Sequence, residues 1–477
     1  MNETNKIFET QQFPLLEHPD FFGKGAEGAL GAVFFLGIGG IGMSAIARYF
    51  NSKGHKVSGY DKTQTILTKQ LEQEGMQIHY EDNVALIDKN AKLVVYTPAI
   101  PAGHTELNYY QQNNYTLLKR SDVLGMITKS NFNICVAGTH GKTTTSAMVA
   151  HILRDSGYGC NAFLGGIATN YNTNFWSSPK NVCVVEADEY DRSFLKLSPD
   201  IAIITSMDAD HLDIYGTAEN VEQAFIDFST KIKPGGCLIL KQGLKRNDDF
   251  KIEDTCTYSV EDKKANIHIN NLRIDNGAYR FDVINNYWTI ENVELNMGGR
   301  HNIENAIAAI GVAKYLKIDD SKIKAAISSF KGVKRRFEYI VKNEDAVYID
   351  DYAHHPEELR ALINSAKELF PAKKCTVIFQ PHLFSRTKDL ADAFAEVLSL
   401  ADETILLPIY PARELPIQGV SSEMIINKMT NKNKWVKEKS ELTEWIKENK
   451  TALLITAGAG DIDTMVQPIK AALLKNK

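Results

Sequence analysis

Residues 133–145 read NICVAGTHGKTTT, an apolar run that ends in Gly138-Thr139-His140-Gly141-Lys142-Thr143. The run predicts a short buried strand. The residues after the turn predict a helix over 143–156, because Met148, Val149, Ile152 and Leu153 recur on one face and Gly157 follows as a stop signal. A strand, a glycine turn and a helix start make an anion cradle. Free backbone N–H groups converge there, and the helix dipole adds about half a positive charge. Lys142 can reach the outer phosphates of a nucleotide, and the Thr143 hydroxyl suits Mg²⁺. The segment therefore predicts consumption of a nucleoside triphosphate. The full pattern G-x-x-x-x-G-K-[ST] would place glycine at position 136, where Val136 stands; Gly138 supplies flexibility two residues later.

A second glycine turn lies upstream. Gly37-Ile38-Gly39-Gly40-Ile41-Gly42 follows an apolar run and opens a helical pattern, and Asp61 comes nineteen residues after Gly42. This spacing lets a backbone approach a pyrophosphate and sets an acid near a ribose. NAD(P) and a UDP-sugar carry the same pyrophosphate, so the motif leaves the nucleotide open.

Composition narrows the class. The 477 residues suit about three domains. Charged residues are 24% and the net charge is −5, with no strongly basic block, which argues against nucleic acid as a partner. Six scattered cysteines without a C-x-x-C pair predict buried thiols in a reducing cytoplasm. The N-terminus, MNETNKIFETQQF, lacks the basic and apolar regions of a secretory signal. Residues 28–47 are uncharged and long enough to span a membrane, but six glycines make a buried strand, turn and helix start the better reading. No membrane insertion is expected, and no motif speaks to oligomeric state.

Three α/β blocks emerge. To about residue 128, strands at 33–36, 56–59 and 92–96 alternate with helices at 43–51 and 66–74, which predicts a parallel sheet covered by helices. From 129 to about 332, Val182–Val185 and Ile201–Thr205 predict buried parallel strands. Strands at 266–269, 279–283 and 287–290 predict an antiparallel appendage, and residues 302–315 a helix. From about 333 to 477, strands at 346–349, 376–379, 404–407 and 452–455 predict a further α/β unit.

Polar residues cluster where these strands end, the place where open α/β sheets collect ligands. Glu186 and His211 follow separate central strands. A carboxylate beside a phosphate loop suits Mg²⁺, whereas histidine is a less usual ligand for that ion. Asp350-Asp351-Tyr352-Ala353-His354-His355-Pro356 and Gln380-Pro381-His382 follow two later strands. Their spacing matches no zinc pattern, so substrate positioning is the favoured reading. Lys334-Arg335-Arg336 stands between the second and third blocks, where it suits phosphate clamping.

Taken together these segments resemble the Mur ligase family of bacterial peptidoglycan synthesis. The similarity rests on GIGGIGMSAIA, GTHGKTTT, EADEYDRSFL, DADHLD, GRHNIEN, GVKRRFE, DDYAHHP and FQPH, in the family's order and over nearly the whole chain. The family's shortened phosphate loop accounts for Val136. The resemblance implies an α/β protein of three domains. These are a Rossmann-like N-terminal domain for a UDP-sugar (1–128), a central P-loop ATPase domain with an antiparallel appendage (129–332), and a Rossmann-like C-terminal domain that closes over ATP and an amino acid (333–477). It implies an ATP- and Mg²⁺-dependent, amide-forming ligase that joins L-alanine to the carboxylate of UDP-N-acetylmuramate in the cytoplasm.

By the same resemblance, Gly37, Gly39, Gly40, Gly42 and Asp61 hold the UDP-sugar. Gly138, Thr139, His140, Gly141, Lys142, Thr143 and Thr144 hold the ATP phosphates, and Thr143, Glu186 and His211 hold the metal. Asn302 and Asn305 contact adenine, Arg336 a phosphate and Asp351 the ribose. Tyr352, His354, His382 and Arg386 frame the amino acid. Lys142, His354 and Arg386 carry the chemistry, with His354 orienting or deprotonating the amine. A sister ligase that attaches a recycled peptide, an NAD(P)-dependent oxidoreductase and a non-catalytic nucleotide switch are the competing readings.

The chain departs from the family pattern at two places. Leu383 stands where an arginine often follows the histidine of the QPH loop, and Arg413 stands where glycine is common. Arg413 is thus expected to replace the lost contact with the amino-acid carboxylate. A charged hydrogen bond contributes roughly 1.5–3 kcal/mol, so Arg413→Ala raises the KM for L-alanine about tenfold, read from initial rates; an unchanged KM removes the assignment.

Overall fold

The structure, a computed structural model, describes residues 31–412 and 414–475. The N-terminal stretch, Gly28 to Leu30 and Arg413 lie outside the described residues. Three sheets follow one another along the chain.

The first contains β1 (Ala32–Leu36), β2 (Val57–Tyr60), β3 (Gln77–His79), β4 (Ala91–Tyr96) and β5 (Leu117–Lys119) in the order β3-β2-β1-β4-β5, all parallel. Every residue of β1 is buried. That is why the strand reads as an unbroken apolar run rather than an alternating one. The order reverses at β1, and the crevice outside that strand's carboxyl end is where Gly37–Gly42 lies.

The second sheet has ten strands. Its parallel centre comprises β6 (Phe132–Ala137), β7 (Asn161–Ala168), β9 (Val182–Glu186), β10 (Ile201–Ile204), β11 (Cys237–Lys241) and β12 (Thr255–Ser259). At one edge β8 (Thr173–Trp176) pairs antiparallel with β7. At the other, β13 (Ile267–Asp275) continues from β12, and β14 (Ala278–Asn285) and β15 (Trp288–Leu295) complete an antiparallel meander. The antiparallel segment expected from the alternating pattern is therefore an extension of the central sheet. Its strands run eight or nine residues, longer than the polar alternation indicates.

The third sheet, β16 (Glu338–Lys342), β17 (Val347–Asp351), β18 (Cys375–Phe379), β19 (Glu403–Leu406), β20 (Lys434–Val436) and β21 (Leu453–Ala457), has the order β16-β17-β21-β18-β19-β20 and is parallel except at β16.

The first two sheets share one apolar core. The helix Ile41–Ser52 leaves the first glycine turn and packs on β7 and β8. Tyr49 meets Phe163 and Phe175 at ring-centroid distances of 5.4 and 6.2 Å. Within this seam the buried Arg48 binds both oxygens of Glu74, at 2.8 and 2.6 Å, and donates to the Asn174 side-chain Oδ1. Asn174 in turn donates to the Ile41 carbonyl and to Ser44. The third sheet joins the second through Glu368, which accepts from Tyr279 and Arg300, and through Lys342, which donates to the Gly277 carbonyl. Among the described residues no helix is long and apolar enough to cross a membrane.

Candidate active site

The strand β6 ends at Ala137, and the helix Lys142–Asp155 begins five residues later. Gly138 has φ +141° and Gly141, the helix N-cap, φ +82°, both hostile to a side chain. A Cβ at Gly138 would collide with Thr205 Oγ1, and one at Gly141 would stand 2.8 Å from Asn305 Oδ1. The loop thus lies flat against the end of β10. Thr139 Oγ1 and the His140 amide both contact Ser206 Oγ, at 2.9 and 2.7 Å, and Thr205 Oγ1 donates to the His140 carbonyl.

Lys142 Nζ donates to the Gly138 carbonyl at 2.7 Å and pairs with Glu189 at 2.7 Å. The Thr143 hydroxyl donates to Glu186 Oε1 at 2.9 Å, and the Gly165 amide donates to Oε2 at 3.0 Å. Burial lifts the Glu186 carboxyl above the usual carboxylate range, against the pull of Lys142, Thr143 and Gly165. Thr144 is buried in the first turn, whereas the His140 ring is exposed and lies 3.7 Å from Asp208. His211 lies beside the loop that carries Glu189. Its Nε2 is 3.8 Å from Glu189 and 3.7 Å from Asp210, and these three residues form a group with metal-ligand spacing.

Asn302 and Asn305, expected near a base, are 3% and 6% exposed and bonded internally. Asn305 accepts from Thr145 and donates to Asn302, which donates to the Gly298 carbonyl. The chain of amides ties the helix Arg300–Tyr315 to the underside of the phosphate loop.

The first glycine turn opens on a cleft of about 1210 Å³. Gly37, Gly39, Gly40, Gly42 and Asp61 line one wall; Gly165, Glu186 and Asp188 from the second sheet line another. Asp61 Oδ2 accepts from the Gly39 amide at 2.7 Å, so this acid pins the turn. Gly42 leaves room for Arg120, whose Nη1 would be 3.0 Å from a Cβ there, and Arg120 reaches Asp188 at 3.7 Å.

On the third sheet the loops after β17 and β18 meet. Tyr352, His354 and His382 form a chain of rings with centroid distances of 5.3 and 6.3 Å, and Arg386 Nη1 is 3.3 Å from His382 Nδ1. His382 stacks on Tyr410 at 5.8 Å. Burial first, and then the Arg386 charge, hold both His355 and His382 below the ordinary histidine value. Asp210 of the second sheet acts on His355 in the opposite sense. The Arg336 guanidinium lies 5.8 Å over Tyr352. Asp351 accepts from the Phe337 and Ala353 amides at 2.6 and 2.7 Å, and burial raises its carboxyl. Leu383 adopts φ +69°, a strained conformation for leucine.

Sequence reasoning did not single out Glu189, Ser206 or Arg120. Glu189 lies inside a motif already quoted, and Ser206 ends a buried strand. Arg120 has no motif to mark it.

Comparison with known proteins agrees with this geometry. Residues 32–131 match the Mur ligase family catalytic domain, 136–313 the Mur ligase middle domain and 335–462 the Mur ligase glutamate ligase domain. The chain belongs to the Mur ligase family. It is 48% identical over 449 residues to the UDP-N-acetylmuramate–L-alanine ligase of Flavobacterium johnsoniae, covering 93% of this chain and 98% of the relative. It is 49% identical over 453 residues to the protein of the same name from Parabacteroides distasonis, covering 93% and 97%. Among solved structures, the UDP-N-acetylmuramate-alanine ligase of Thermotoga maritima superposes with a TM-score of 0.79 at 29% identity, covering 94% of this chain and all of that one. A murein peptide ligase from Psychrobacter arcticus, at 24% identity and a TM-score of 0.63, shares the fold.

The loop geometry generates a test. Gly138→Ala forces a side chain into Thr205 and strains the backbone, so ATP affinity measured by calorimetry falls at least about tenfold while the thermal midpoint moves by only a few degrees. Unchanged affinity shows that the flat loop is not the phosphate cradle.

Proposed function

We propose that the protein is an ATP-dependent ligase that joins L-alanine to the lactyl carboxylate of UDP-N-acetylmuramate. One observation carries the reading. The cleft at the first glycine turn is walled on its far side by Glu186, and Glu186 is bonded to the first hydroxyl of the phosphate-loop helix. An acid carried by a nucleotide-sugar at the first turn is thereby directed toward the outer phosphate of ATP at the second. The resemblance to alanine-adding relatives supports the choice of amino acid. The three units 1–128, 129–332 and 333–477 then bind sugar nucleotide, ATP and amino acid in turn.

A carboxylate resists attack by an amine because oxide is the leaving group. Transfer of the γ-phosphoryl group to that carboxylate releases ADP and gives an acyl phosphate, from which phosphate can leave. The loop amides, the helix N-terminus and Lys142 stabilise the charge that gathers in this step. Thr143 and Glu186 offer the hard oxygen donors that fit Mg²⁺, with His211 beside Glu189 and Asp210 on the adjacent loop. When bound, the ion neutralises phosphate oxygens. The alanine amine then attacks the acyl carbon. Tyr352, His382 and Arg386 orient the amino acid, and Arg413 holds its carboxylate. His354 takes the amine proton. Closure of the third unit excludes the water that would hydrolyse the intermediate. In this reading Asn302 and Asn305 contact the adenine, Arg336 a phosphate and Asp351 the ribose. The cytoplasm is the proposed compartment, a reading supported by six unpaired cysteines, five of them buried.

The decisive assay is phosphate release from ATP with UDP-N-acetylmuramate and each of alanine, serine and glycine, followed by product mass. The reading predicts release that needs all three substrates and a product one alanyl group heavier. Activity with a preformed peptide instead of alanine would indicate the recycling ligase, and a change at the nicotinamide absorbance the oxidoreductase.

His354 supplies the pH dependence. Burial, more than the nearby Arg386 and His355 charges, lowers its pKa below 6.5, against Glu358 and the Tyr352 carbonyl. The lowered value favours the neutral ring. Its contribution to stability, and the base itself, are intact above 6.5 and are lost only as pH falls through the lower value. Accordingly kcat holds down to that pH and falls below it. His354→Gln lowers kcat about a hundredfold and abolishes the acid limb. An acid limb that persists in the variant assigns the base elsewhere.

A further inference from the structure

Glu186 and Glu189 end the same strand region but are held differently. Glu186 accepts from a hydroxyl and a backbone amide, which are neutral donors. The Glu189 side chain is 2% exposed, and Lys142 Nζ lies 2.7 Å from each of its oxygens. Only Oε1 receives a directed hydrogen bond; Oε2 is buried without one. A buried carboxylate that loses its cation becomes strongly destabilised. Yet Lys142 is also the residue required at the ATP phosphates. It cannot serve both anions fully at once.

The replacement cation has a place prepared. His211 Nε2 stands 3.8 Å from Glu189 Oε1, and Asp210 completes a set whose ligand atoms lie within 4.8 Å of one another. The backbone on both flanks is fixed in an uncommon form. His211 has φ +52°, and Asp191 and Arg192 have φ +53° and +61°. The Glu189 carbonyl is clamped by Tyr215 Oη at 2.6 Å and by the Arg192 amide at 2.9 Å. Strain of this kind persists only where the surroundings enforce it.

We propose that Glu189 is a cation-exchange residue: it neutralises Lys142 before ATP binds and, with Asp210 and His211, takes a divalent cation when Lys142 moves to the phosphates. Glu189 is thus a positioning residue for Lys142 and a metal ligand afterwards, and nucleotide arrival is coupled to metal arrival through one buried carboxylate. The inference rests on the ATP-site reading given above.

The test separates the two. Mn²⁺ alone is titrated into nucleotide-free protein at alkaline pH and followed by its paramagnetic resonance signal. Removing the lysine leaves Glu189 without its cation, so Lys142→Ala, and independently Lys142→Met, bind Mn²⁺ about tenfold or more tighter than the wild type. Lys142→Ala combined with Glu189→Gln returns to the wild-type value. In the metal-free state Glu189→Gln binds a non-hydrolysable ATP analogue at least as tightly as the wild type, because Lys142 is released. Equal Mn²⁺ affinity in wild type and both lysine variants overturns the exchange, as does weakened metal-free nucleotide binding in Glu189→Gln. Failure of the wild type to bind the analogue at all would overturn the ATP-site reading, whatever the Mn²⁺ titrations show.

Discussion

The architecture depends on how closely the loop Gly138–Gly141 approaches the end of β10. With Gly138 at φ +141° and its α-carbon against Thr205, the chain turns from strand to helix without any side chain between the backbone and its neighbours. Thr205 and Ser206 beyond β10 hold the loop and Asn305 of the helix Arg300–Tyr315 abuts Gly141, so its amides are oriented before a ligand arrives. Such preorganisation is what makes backbone dipoles effective against developing charge, because none of the reorientation occurs during the reaction.

Around that loop the protein assembles its partners from separate sheets. The first provides a glycine turn that Asp61 braces, the second Glu186 and Glu189, and the third a cluster of histidines whose pKa burial lowers. Polar groups converge at the cleft because the carboxyl ends of the first two sheets both contribute to its walls. The cleft is consequently shared between units, and no one of them holds a complete site.

Parts of this were legible in the sequence for definite reasons. The helix Lys142–Asp155 lies within a residue of its expected limits, because apolar spacing and a glycine stop act locally. The buried strands β9 and β10 were visible as short apolar runs rich in valine and isoleucine. The strand β7 was not, because Gly165-Gly166 reads as a breaker. The structure shows why glycine is there: a Cβ at Gly165 would collide with the Glu186 carboxylate. Asn302 and Asn305 were expected from the resemblance to contact a base, and their inward hydrogen bonds, which depend on the tertiary packing of two helices, had no signal in the sequence. The pairing of Lys142 with Glu189 joins loops forty-seven residues apart and has no periodic signature.

The seam between the first two sheets bears on how the molecule can breathe. Because Tyr49, Phe163 and Phe175 interlock as core residues and the buried Arg48 is fastened from both sides, parting these units would expose an interior and strand a guanidinium. They form one chassis. The third sheet is joined to the second in the same way, through an apolar core that runs from Ile303 and Phe337 to Val347 and Phe379, so the frame that presents the loops is set before any substrate is aboard.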